Sequence, residues 1–187
     1  MDSYLDIQLL PDPEFSPPML MSALFAKLHR GLVQHGQGNV GISFPDVSDT
    51  GHTLGNRLRL NGTSEALEAL MQIGWLHGMR DHVEASGICA LPANCGHRVV
   101  RRVQAKSNPE RLRRRLMARQ GLDATAARQT IPDSTAERLN LPYVTLASRS
   151  TNQRFRLFIE YLPVQDTPVA GAFSSYGLST TATVPWF

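Results

Sequence analysis

The stretch Tyr4-Leu5-Asp6-Ile7-Gln8-Leu9-Leu10 alternates apolar and polar side chains, which predicts a β-strand with one buried face. Leu5, Ile7 and Leu9 would lie on the face toward the core. After a proline-rich loop, apolar residues recur at helical spacing and predict a helix over residues 18–34, ended by glycines. A strand followed by an amphipathic helix indicates that helices pack on a sheet in this half of the chain.

Further elements follow along the first half: strands over residues 39–44 and 54–60, a helix over residues 66–73, and a strand or two within residues 82–100. Thr63 is positioned to cap the second helix. The resulting order β-α-β-β-α-β is that of a ferredoxin-like fold, which RNA-recognition modules also use. The exposed aromatic residues of those modules are not found here, so we do not expect binding on the sheet face. We predict an N-terminal ferredoxin-like (RRM-like) domain over residues 1–95.

The second half, residues 96–187, is predicted to form a C-terminal domain of a different kind. Residues 143–148 and 154–161 have the pattern of an antiparallel pair of strands around a turn of small polar residues. Short helical pieces are predicted on either side of Pro132, and residues 171–187 are rich in aromatic and turn-forming residues. The predicted fold class is therefore α+β.

The strongest charge feature is the segment from Arg101 to Arg119, which contains eight basic residues against one acid, Glu110. The basic residues are Arg101, Arg102, Lys106, Arg111, Arg113, Arg114, Arg115 and Arg119. Because the whole chain carries only +3, the remainder carries −4. Such a concentration of positive charge predicts a surface that binds a polyanion, with nucleic acid as the first candidate.

Most of this segment is predicted to be a helix that begins with the capping box Ser107-Asn108-Pro109-Glu110 and ends at Gly121. Helical spacing places four arginines on one face: Arg111, Arg114, Arg115 and Arg119. Leu112 and Leu116 lie on the adjoining face and would dock the helix. A charge run is ordinarily a solvated helix face, but the acids that usually accompany one are missing here. A phosphate-binding helix explains why the chain accepts so many neighbouring like charges.

Composition argues against several classes of function. No apolar run is long enough to cross a bilayer, and the first residues lack the pattern of a signal peptide, so we expect a cytoplasmic protein with no membrane partner. Cys89 and Cys95 are then expected to be free thiols. They lie near His82 and His97 in the sequence, but their spacing is not that of common zinc sites, so no metal is predicted.

Three residues that could take part in catalysis are scattered along the chain, and nothing in their spacing connects them. His29 could be an ordinary residue at the edge of an apolar helix stripe, Ser148 a turn residue, and Tyr176 a core aromatic. The sequence has neither a glycine-rich phosphate loop nor the acidic pair of two-metal nucleases. A nuclease built on this chain is therefore expected to work without a metal ion.

The stretch Arg102–Met117, RVQAKSNPERLRRRLM, resembles the signature of the type I-F CRISPR repeat-processing endoribonucleases, the Csy-type pre-crRNA nucleases. Three other stretches resemble the same family: Tyr4–Ile7, Phe155–Ile159 and Val184–Phe187. The resemblance runs over the whole chain and is weakest between residues 46 and 100.

The resemblance implies an endoribonuclease without cofactor or metal that cuts CRISPR precursor RNA at the 3′ base of the repeat stem-loop. In that family the RNA 2′-hydroxyl is the nucleophile, and the products are a 2′,3′-cyclic phosphate and a 5′-hydroxyl. The contacts that define the hairpin remain after cleavage, so the enzyme is expected to keep the mature crRNA. The resemblance also implies a place in a type I-F crRNA-guided surveillance complex, and a monomer when free.

The match of position and context assigns roles to single residues. His29 would be the general base, Ser148 would hold the 2′-hydroxyl in line, and Tyr176 would orient the imidazole. Arg102 would read a guanine through O6 and N7, and Gln104 would read an adjacent adenine through N6 and N7. The other implied RNA contacts are Ser107, the phosphate-binding Arg111, Arg114, Arg115 and Arg119, and Phe155, which would stack at the base of the stem.

One departure from the family pattern is Ala118, which stands within the arginine face where the family carries another arginine. One contact to the RNA is therefore expected to be missing. Two functions of other kinds stay open at this point. One is a non-catalytic subunit that holds an RNA hairpin, and the other is a regulator that inserts its helix into a groove of DNA.

Overall fold

A computed structural model describes residues 1–48, 53–104, 109–133, 139–148 and 153–187. The fold is α+β, as predicted, with helices and antiparallel sheets. Contacts divide the chain into a large unit, residues 1–102 with 141–187, and a small unit, residues 103–140. The predicted domain boundary after residue 95 stays a prediction, because a division by contacts does not say which part folds alone. Over the described residues, no helix has the length and apolar character needed to cross a bilayer.

The predicted first strand and both predicted N-terminal helices are confirmed to within about two residues at each end. The helices are α1 (Pro17–His35), α2 (Ser64–Gln72), α3 (Pro109–Gln120) and α4 (Ala124–Thr130). The strands are β1 (Ser3–Leu9), β2 (Gly41–Ser43), β3 (Arg57–Gly62), β4 (Val83–Ala85), β5 (Cys89–Ala90), β6 (Gly96–Arg98), β7 (Val100–Val103), β8 (Tyr143–Ala147), β9 (Arg154–Tyr161) and β10 (Val184–Trp186).

Strand β1 lies at the centre of an antiparallel sheet with the order β2-β3-β1-β4, and β5 pairs with the start of β1. Its side chains alternate between buried and half-buried. On the core face Leu5 pairs with Leu60 and Ile7 pairs with Leu58, and all four are buried. The predicted orientation of the first strand is confirmed.

Helix α1 packs its apolar stripe into the same core. The buried residues of this stripe are Leu20, Met21, Leu24, Phe25, Leu28 and Leu32. The helix ends at Gly36, whose backbone is left-handed (φ 70°) and whose N–H donates to the carbonyl of Leu32. At the start of α2, the Thr63 hydroxyl accepts a hydrogen bond from the Ala66 N–H, so the predicted cap is confirmed.

The outer face of the five-stranded sheet is filled by an arginine and two aromatic rings. Arg59 is buried on β3 and donates to both carboxylate oxygens of Asp6 on β1, at 2.7 and 2.9 Å. Its guanidinium carbon lies 4.6 Å from the centre of the Tyr4 ring and 3.9 Å from that of Phe187. These contacts occupy part of the face on which RNA-recognition modules expose aromatic residues.

A second antiparallel sheet, with the order β7-β9-β8, belongs to the same unit. β8 and β9 form the predicted antiparallel pair, with Tyr143 opposite Phe158. Most of the predicted turn, residues 150–153, lies outside the described residues. Helix α1 packs along the free edge of β8, where the Thr145 N–H donates to the Ser22 hydroxyl at 3.1 Å. The inward side chains of β8 and β9 join the core of the first sheet.

In the small unit, α3 ends at Gly121 in the left-handed conformation, so the predicted end of the arginine helix is confirmed. Its predicted cap, Ser107, lies outside the described residues. The buried residue of α3 is Arg113, which donates to the Ile131 carbonyl at 2.7 Å and to Asp133 at 2.6 Å. The two leucines that were predicted to dock the helix are only half-buried.

Helix α4 confirms the predicted helical piece before Pro132. Its cap is Asp123, whose carboxylate accepts a hydrogen bond from the Ala126 N–H at 2.8 Å. The piece predicted after Pro132, residues 134–139, falls almost entirely outside the described residues.

Candidate functional site

His29 lies on α1 one turn after Phe25, at the edge of the buried stripe. Its Nδ1 is 2.8 Å from the carbonyl oxygen of Ser175. A carbonyl can only accept a hydrogen bond, so Nδ1 carries the hydrogen and the neutral ring has its lone pair on Nε2. This tautomer can accept a proton at Nε2.

The Ser175 carbonyl is placed by a tight turn, Ser174–Gly177, closed by a hydrogen bond from the Gly177 N–H to the Ser174 carbonyl at 2.8 Å. Gly177 has a left-handed backbone (φ 70°), and a Cβ there would meet the Ile42 side chain at 2.6 Å. The Ile42 N–H in turn donates to the Gly177 carbonyl. Only glycine fits this position without strain, so the turn is fixed against β2.

The same turn carries Tyr176, whose ring stacks on the imidazole of His29. The ring centres are 4.2 Å apart and the planes differ by 12°. On α1, Phe25 is also stacked with Tyr176, at 6.2 Å and 15°. The backbone hydrogen bond and the stack together restrict both the tilt and the rotation of the imidazole.

Arg102, at the end of β7, lies over the same aromatic group. Its guanidinium carbon is 5.5 Å from the centre of the Tyr176 ring and 5.9 Å from that of Phe155. The Nε of Arg102 is buried, and none of the described residues accepts a hydrogen bond from it. The structure therefore brings His29, Tyr176, Arg102 and Phe155 together within the large unit.

Ser148 follows the last residue of β8, where its N–H donates to the Gln153 carbonyl at 2.9 Å. β8 runs along α1 in the same direction, because Tyr143 borders a groove with Pro17 and Pro18 at the start of the helix, and Thr145 contacts Ser22. The seven residues from Ser22 to His29 span about 10 Å of helix and return to the same helix face. The three residues from Thr145 to Ser148 also span about 10 Å. These equal lengths predict that the end of β8 reaches the level of His29.

The remaining predicted RNA contacts belong to the small unit. Gln104 is exposed, and so are four arginines of α3: Arg111, Arg114, Arg115 and Arg119. Ser107 lies outside the described residues. Within this unit the exposed arginines of α3 form a basic surface, while Arg113 points into the unit.

Cys89 is exposed and Cys95 is half-buried, and both are free thiols, as predicted. In the part of the chain that the structure describes, no three residues of the metal-binding types lie close enough together to hold a metal ion.

Residues 4–187 match the model of a family described as "CRISPR-associated protein (Cas_Csy4)". The chain belongs to this family.

Two curated relatives of the Csy4 type are similar over the full length of both proteins. A "CRISPR-associated endonuclease Cas6/Csy4" of Pseudomonas aeruginosa (strain UCBPP-PA14) is 52% identical over 187 residues, which is 100% of each chain. A protein with the same description from Escherichia coli (strain UTI89 / UPEC) is 49% identical, again over 100% of each chain. The assignment to the Csy-type CRISPR endoribonucleases is confirmed, and so is the prediction that the protein is an endonuclease.

A solved structure described as "An RAMP protein binding different RNA substrates" aligns with 98% of this chain and 99% of that one. Its sequence identity is 9% and its TM-score is 0.34. Both values are too low to indicate a shared fold with this Csy4-family chain.

Sequence reasoning missed three contributors to the site of this Csy4-family chain. The Ser175 carbonyl is a backbone group, so no residue type could have indicated it. Phe25 was recognised only as a core residue, although its spacing of four from His29 places both on one helix face. Ser22, seven residues before His29, lies on that face as well, and that spacing was the available signal.

Proposed function

We propose that this protein is a metal-independent endoribonuclease that cleaves CRISPR precursor RNA at the 3′ base of the repeat stem-loop. The observation that carries the proposal is the contact between His29 Nδ1 and the Ser175 carbonyl at 2.8 Å. It selects the tautomer that a general base needs, with the lone pair on Nε2. The similarity to two CRISPR-associated endonucleases supports the choice of substrate.

In the proposed reaction, His29 Nε2 takes the proton of the RNA 2′-hydroxyl upstream of the cut. The 2′-oxygen attacks the adjacent phosphorus, the bond from phosphorus to the 5′-oxygen breaks, and that oxygen takes up a proton from solvent, to which His29 later releases the proton that it accepted. The products are a 2′,3′-cyclic phosphate and a 5′-hydroxyl. Positioned proton transfer of this kind contributes roughly 10²–10⁴-fold. Because the nucleophile belongs to the RNA, the step needs no metal-bound water.

Tyr176 and Ser148 would favour the attack of the 2′-oxygen by holding the imidazole and the hydroxyl in the required orientation. Tyr176 holds the plane of the imidazole through the stack at 4.2 Å, and its electron-rich ring face also favours the imidazolium that forms during the transfer. We assign Ser148 to holding the 2′-hydroxyl in line with the phosphorus. The contact of Thr145 with Ser22, from which β8 and α1 run equal lengths to Ser148 and His29, supports this assignment.

Recognition would begin at the base of the stem. The guanidinium of Arg102 lies over the Tyr176 and Phe155 rings, and these contacts would orient it for O6 and N7 of a guanine. Gln104, two residues later and exposed, is assigned to the adjacent adenine. Phe155, half-buried beside Arg102, is assigned to stacking at the base of the stem.

The arginines on the exposed side of α3 are assigned to phosphates of the hairpin: Arg111, Arg114, Arg115 and Arg119. Ser107 is assigned to the same interface. An A-form major groove is too narrow for a helix along its length. A short hairpin is open at its ends, so one helix can enter there.

The finer features of the fold and of the assembly complete the proposal. We assign residues 1–95 to a ferredoxin-like domain, and the strand order β2-β3-β1-β4 with all neighbours antiparallel supports this. Residues 96–187 are assigned to a C-terminal RNA-recognition domain. The protein would be a monomer when free, would remain on the mature crRNA, and would join a type I-F crRNA-guided surveillance complex.

The test is the chemistry of the RNA ends. A repeat RNA is incubated with the protein in EDTA, and the 3′ end of the upstream product is identified by mass spectrometry. We expect a 2′,3′-cyclic phosphate, and no cleavage of an RNA with a single 2′-deoxy nucleotide upstream of the cut. A requirement for magnesium, or cleavage of the deoxy-substituted RNA, would overturn the mechanism. A preference for duplex DNA of the same sequence in competition would instead support a DNA-binding regulator.

A further inference from the structure

The strands β8 and β9 have an outer face that the proposed mechanism does not use. Side chains alternate between the two faces of a sheet, and the residues that point inward here, such as Val144 and Leu157, are buried. Three cross-strand pairs occupy the outer face: Tyr143 with Phe158, Thr145 with Arg156, and Ala147 with Arg154. The outer face is defined here by these six residues.

The charge of the outer face is positive. Arg154 and Arg156 are exposed. Along β8 and β9, which the structure describes in full, the one acidic residue is Glu160, and its carboxylate accepts a hydrogen bond from Arg101 at 2.7 Å. The negative charge of Glu160 is therefore paired with Arg101, which is not one of the residues of the outer face. The two exposed arginines are left as a surface complementary to phosphates.

The same face carries stacking surfaces. The guanidinium carbon of Arg156 lies 4.5 Å from the centre of the Tyr143 ring, and the ring of Phe158 meets Tyr143 edge-on at 5.5 Å. Tyr143 is 39% exposed. A guanidinium that stacks on a ring still has a second flat side, and unpaired bases stack on both guanidinium planes and aromatic rings.

A groove of about 430 Å³ adjoins Tyr143 and Thr145. Its other walls come from the start of α1, where Pro17, Pro18 and Met21 are apolar, and from residues 53–56. The exposed ring of Tyr143, next to this groove, suits a nucleotide base that is not stacked on its neighbours in the RNA. Duplex RNA would not use these surfaces, because its bases are already stacked and paired.

We propose that the outer face binds unpaired nucleotides that flank the repeat hairpin. β9 connects this face to the candidate active site, because Arg154 points outward where the next residue, Phe155, points toward Arg102. A flanking strand that leaves the base of the hairpin would meet Arg154 first and then the Arg156–Tyr143 stack. The inference rests on the proposed function, since it requires the hairpin to bind at the candidate site.

The experiment compares three RNAs, each with a 2′-deoxy nucleotide that prevents cleavage: the hairpin alone, the hairpin with an unpaired 5′ flank, and the hairpin with an unpaired 3′ flank. Dissociation constants are measured over a range of salt concentrations. We expect the wild-type protein to bind one of the flanked RNAs about tenfold more tightly than the hairpin alone. The double variant Arg154→Gln with Arg156→Gln should lose this advantage, and its salt slope on that RNA should fall by about one unit.

Matched controls distinguish a flank site from arginine contacts with the hairpin itself and from a loss of stability. Arg80→Gln removes another exposed arginine of the large unit and should keep the advantage of the flank. Thermal unfolding should change little in all variants, because the substituted side chains are exposed and the contact of Arg156 with Tyr143 contributes little stability at an exposed site. Equal binding of all three RNAs by the wild type, or an undiminished advantage in the double variant, overturns the flank site. A uniform loss on all three RNAs overturns it as well, because the arginines then contact the hairpin. If the wild type does not bind the hairpin, the proposed function itself fails, and the flank site with it.

Discussion

Two helices each carry candidate functional side chains, and they differ in how the chain holds them. Helix α1 buries six large apolar side chains, and the proposed general base on it, His29, contacts a backbone carbonyl and a stacked ring. Helix α3 buries a single residue, Arg113, and exposes the arginines that we assign to RNA. Helix α1 thus belongs to the core, whereas the one buried side chain of α3 is that of an arginine.

The difference follows from what each task needs. Proton transfer requires a defined distance and direction, so the imidazole must be placed by groups that do not move. Binding to phosphates depends on charge and falls off gradually with distance, so long exposed side chains are sufficient. Chemistry in α1 and affinity in α3 should therefore be separable by mutation.

The largest expected effect tests the chemistry of α1. His29→Ala should lower the single-turnover cleavage rate at saturating protein by about 10²–10⁴-fold or more, while the dissociation constant for the hairpin stays unchanged. His35→Ala is the control, since His35 lies on the same helix but bonds Asn39. Unimpaired cleavage by His29→Ala would remove the general-base assignment, whereas an absence of cleavage by the wild-type protein would leave a binding subunit as the alternative.

The next effect tests whether Arg102 takes part in both RNA recognition and cleavage. Arg102→Ala and Gln104→Ala should each weaken hairpin binding by about 1–3 kcal/mol, because each removes a proposed base contact. Only Arg102 also lies over Tyr176, the ring that stacks on His29. We therefore expect Arg102→Ala alone to slow cleavage at saturating protein as well.

The measurement is a single-turnover time course at several protein concentrations, which separates affinity from the rate of the bound complex. If both variants reach the wild-type rate at saturation, Arg102 acts in binding alone and α1 is independent of the base readers.

A third effect distinguishes arginines within α3. Arg113→Ala should lower the free energy of unfolding by about 1–3 kcal/mol, because it removes a buried side chain together with its hydrogen bonds to the Ile131 carbonyl and to Asp133. Arg115→Ala should change stability by no more than about 0.5 kcal/mol but should weaken RNA binding. Urea unfolding and RNA binding are measured on both variants, to check that Arg113→Ala mainly lowers stability and Arg115→Ala mainly lowers affinity. Equal stability losses would mean that the buried arginine does not hold the helix.

The smallest effect concerns the gap in the arginine face. Ala118 is exposed, so Ala118→Arg can add a phosphate contact without disturbing the packing of the small unit. The slope of log K against log salt should steepen by something under one unit. An unchanged slope would show that this side of α3 does not face the RNA.

The sequence predicted the first strand, the first two helices and the antiparallel pair β8–β9 because their signals are local. The alternation in β1 and the spacing of leucines in α1 result directly from one buried face. Residues 82–100 stayed ambiguous because their strands are short and pair with distant partners: β6, for example, pairs with β10 near the other end of the chain.

The candidate site was less accessible to prediction. His29 and Tyr176 are 147 residues apart, and no spacing rule connects a helix edge to a distant turn. Their roles came from a resemblance, and their contact is a property of the folded chain. The role of Arg113 shows a related problem, since the sequence does not distinguish this buried arginine from its exposed neighbours without the position of Ile131.

The cluster around Arg59 has a consequence for how the protein can acquire new specificity. A sheet face lined by independent exposed side chains can change its ligand by single substitutions. Here the face carries a buried guanidinium whose partners are Asp6, Tyr4 and Phe187, and stranding such a charge costs about 3–5 kcal/mol. The face is thus a constrained part of the scaffold. Substitutions of the exposed arginines on α3 and on the outer face of β8 and β9 are expected to cost much less stability.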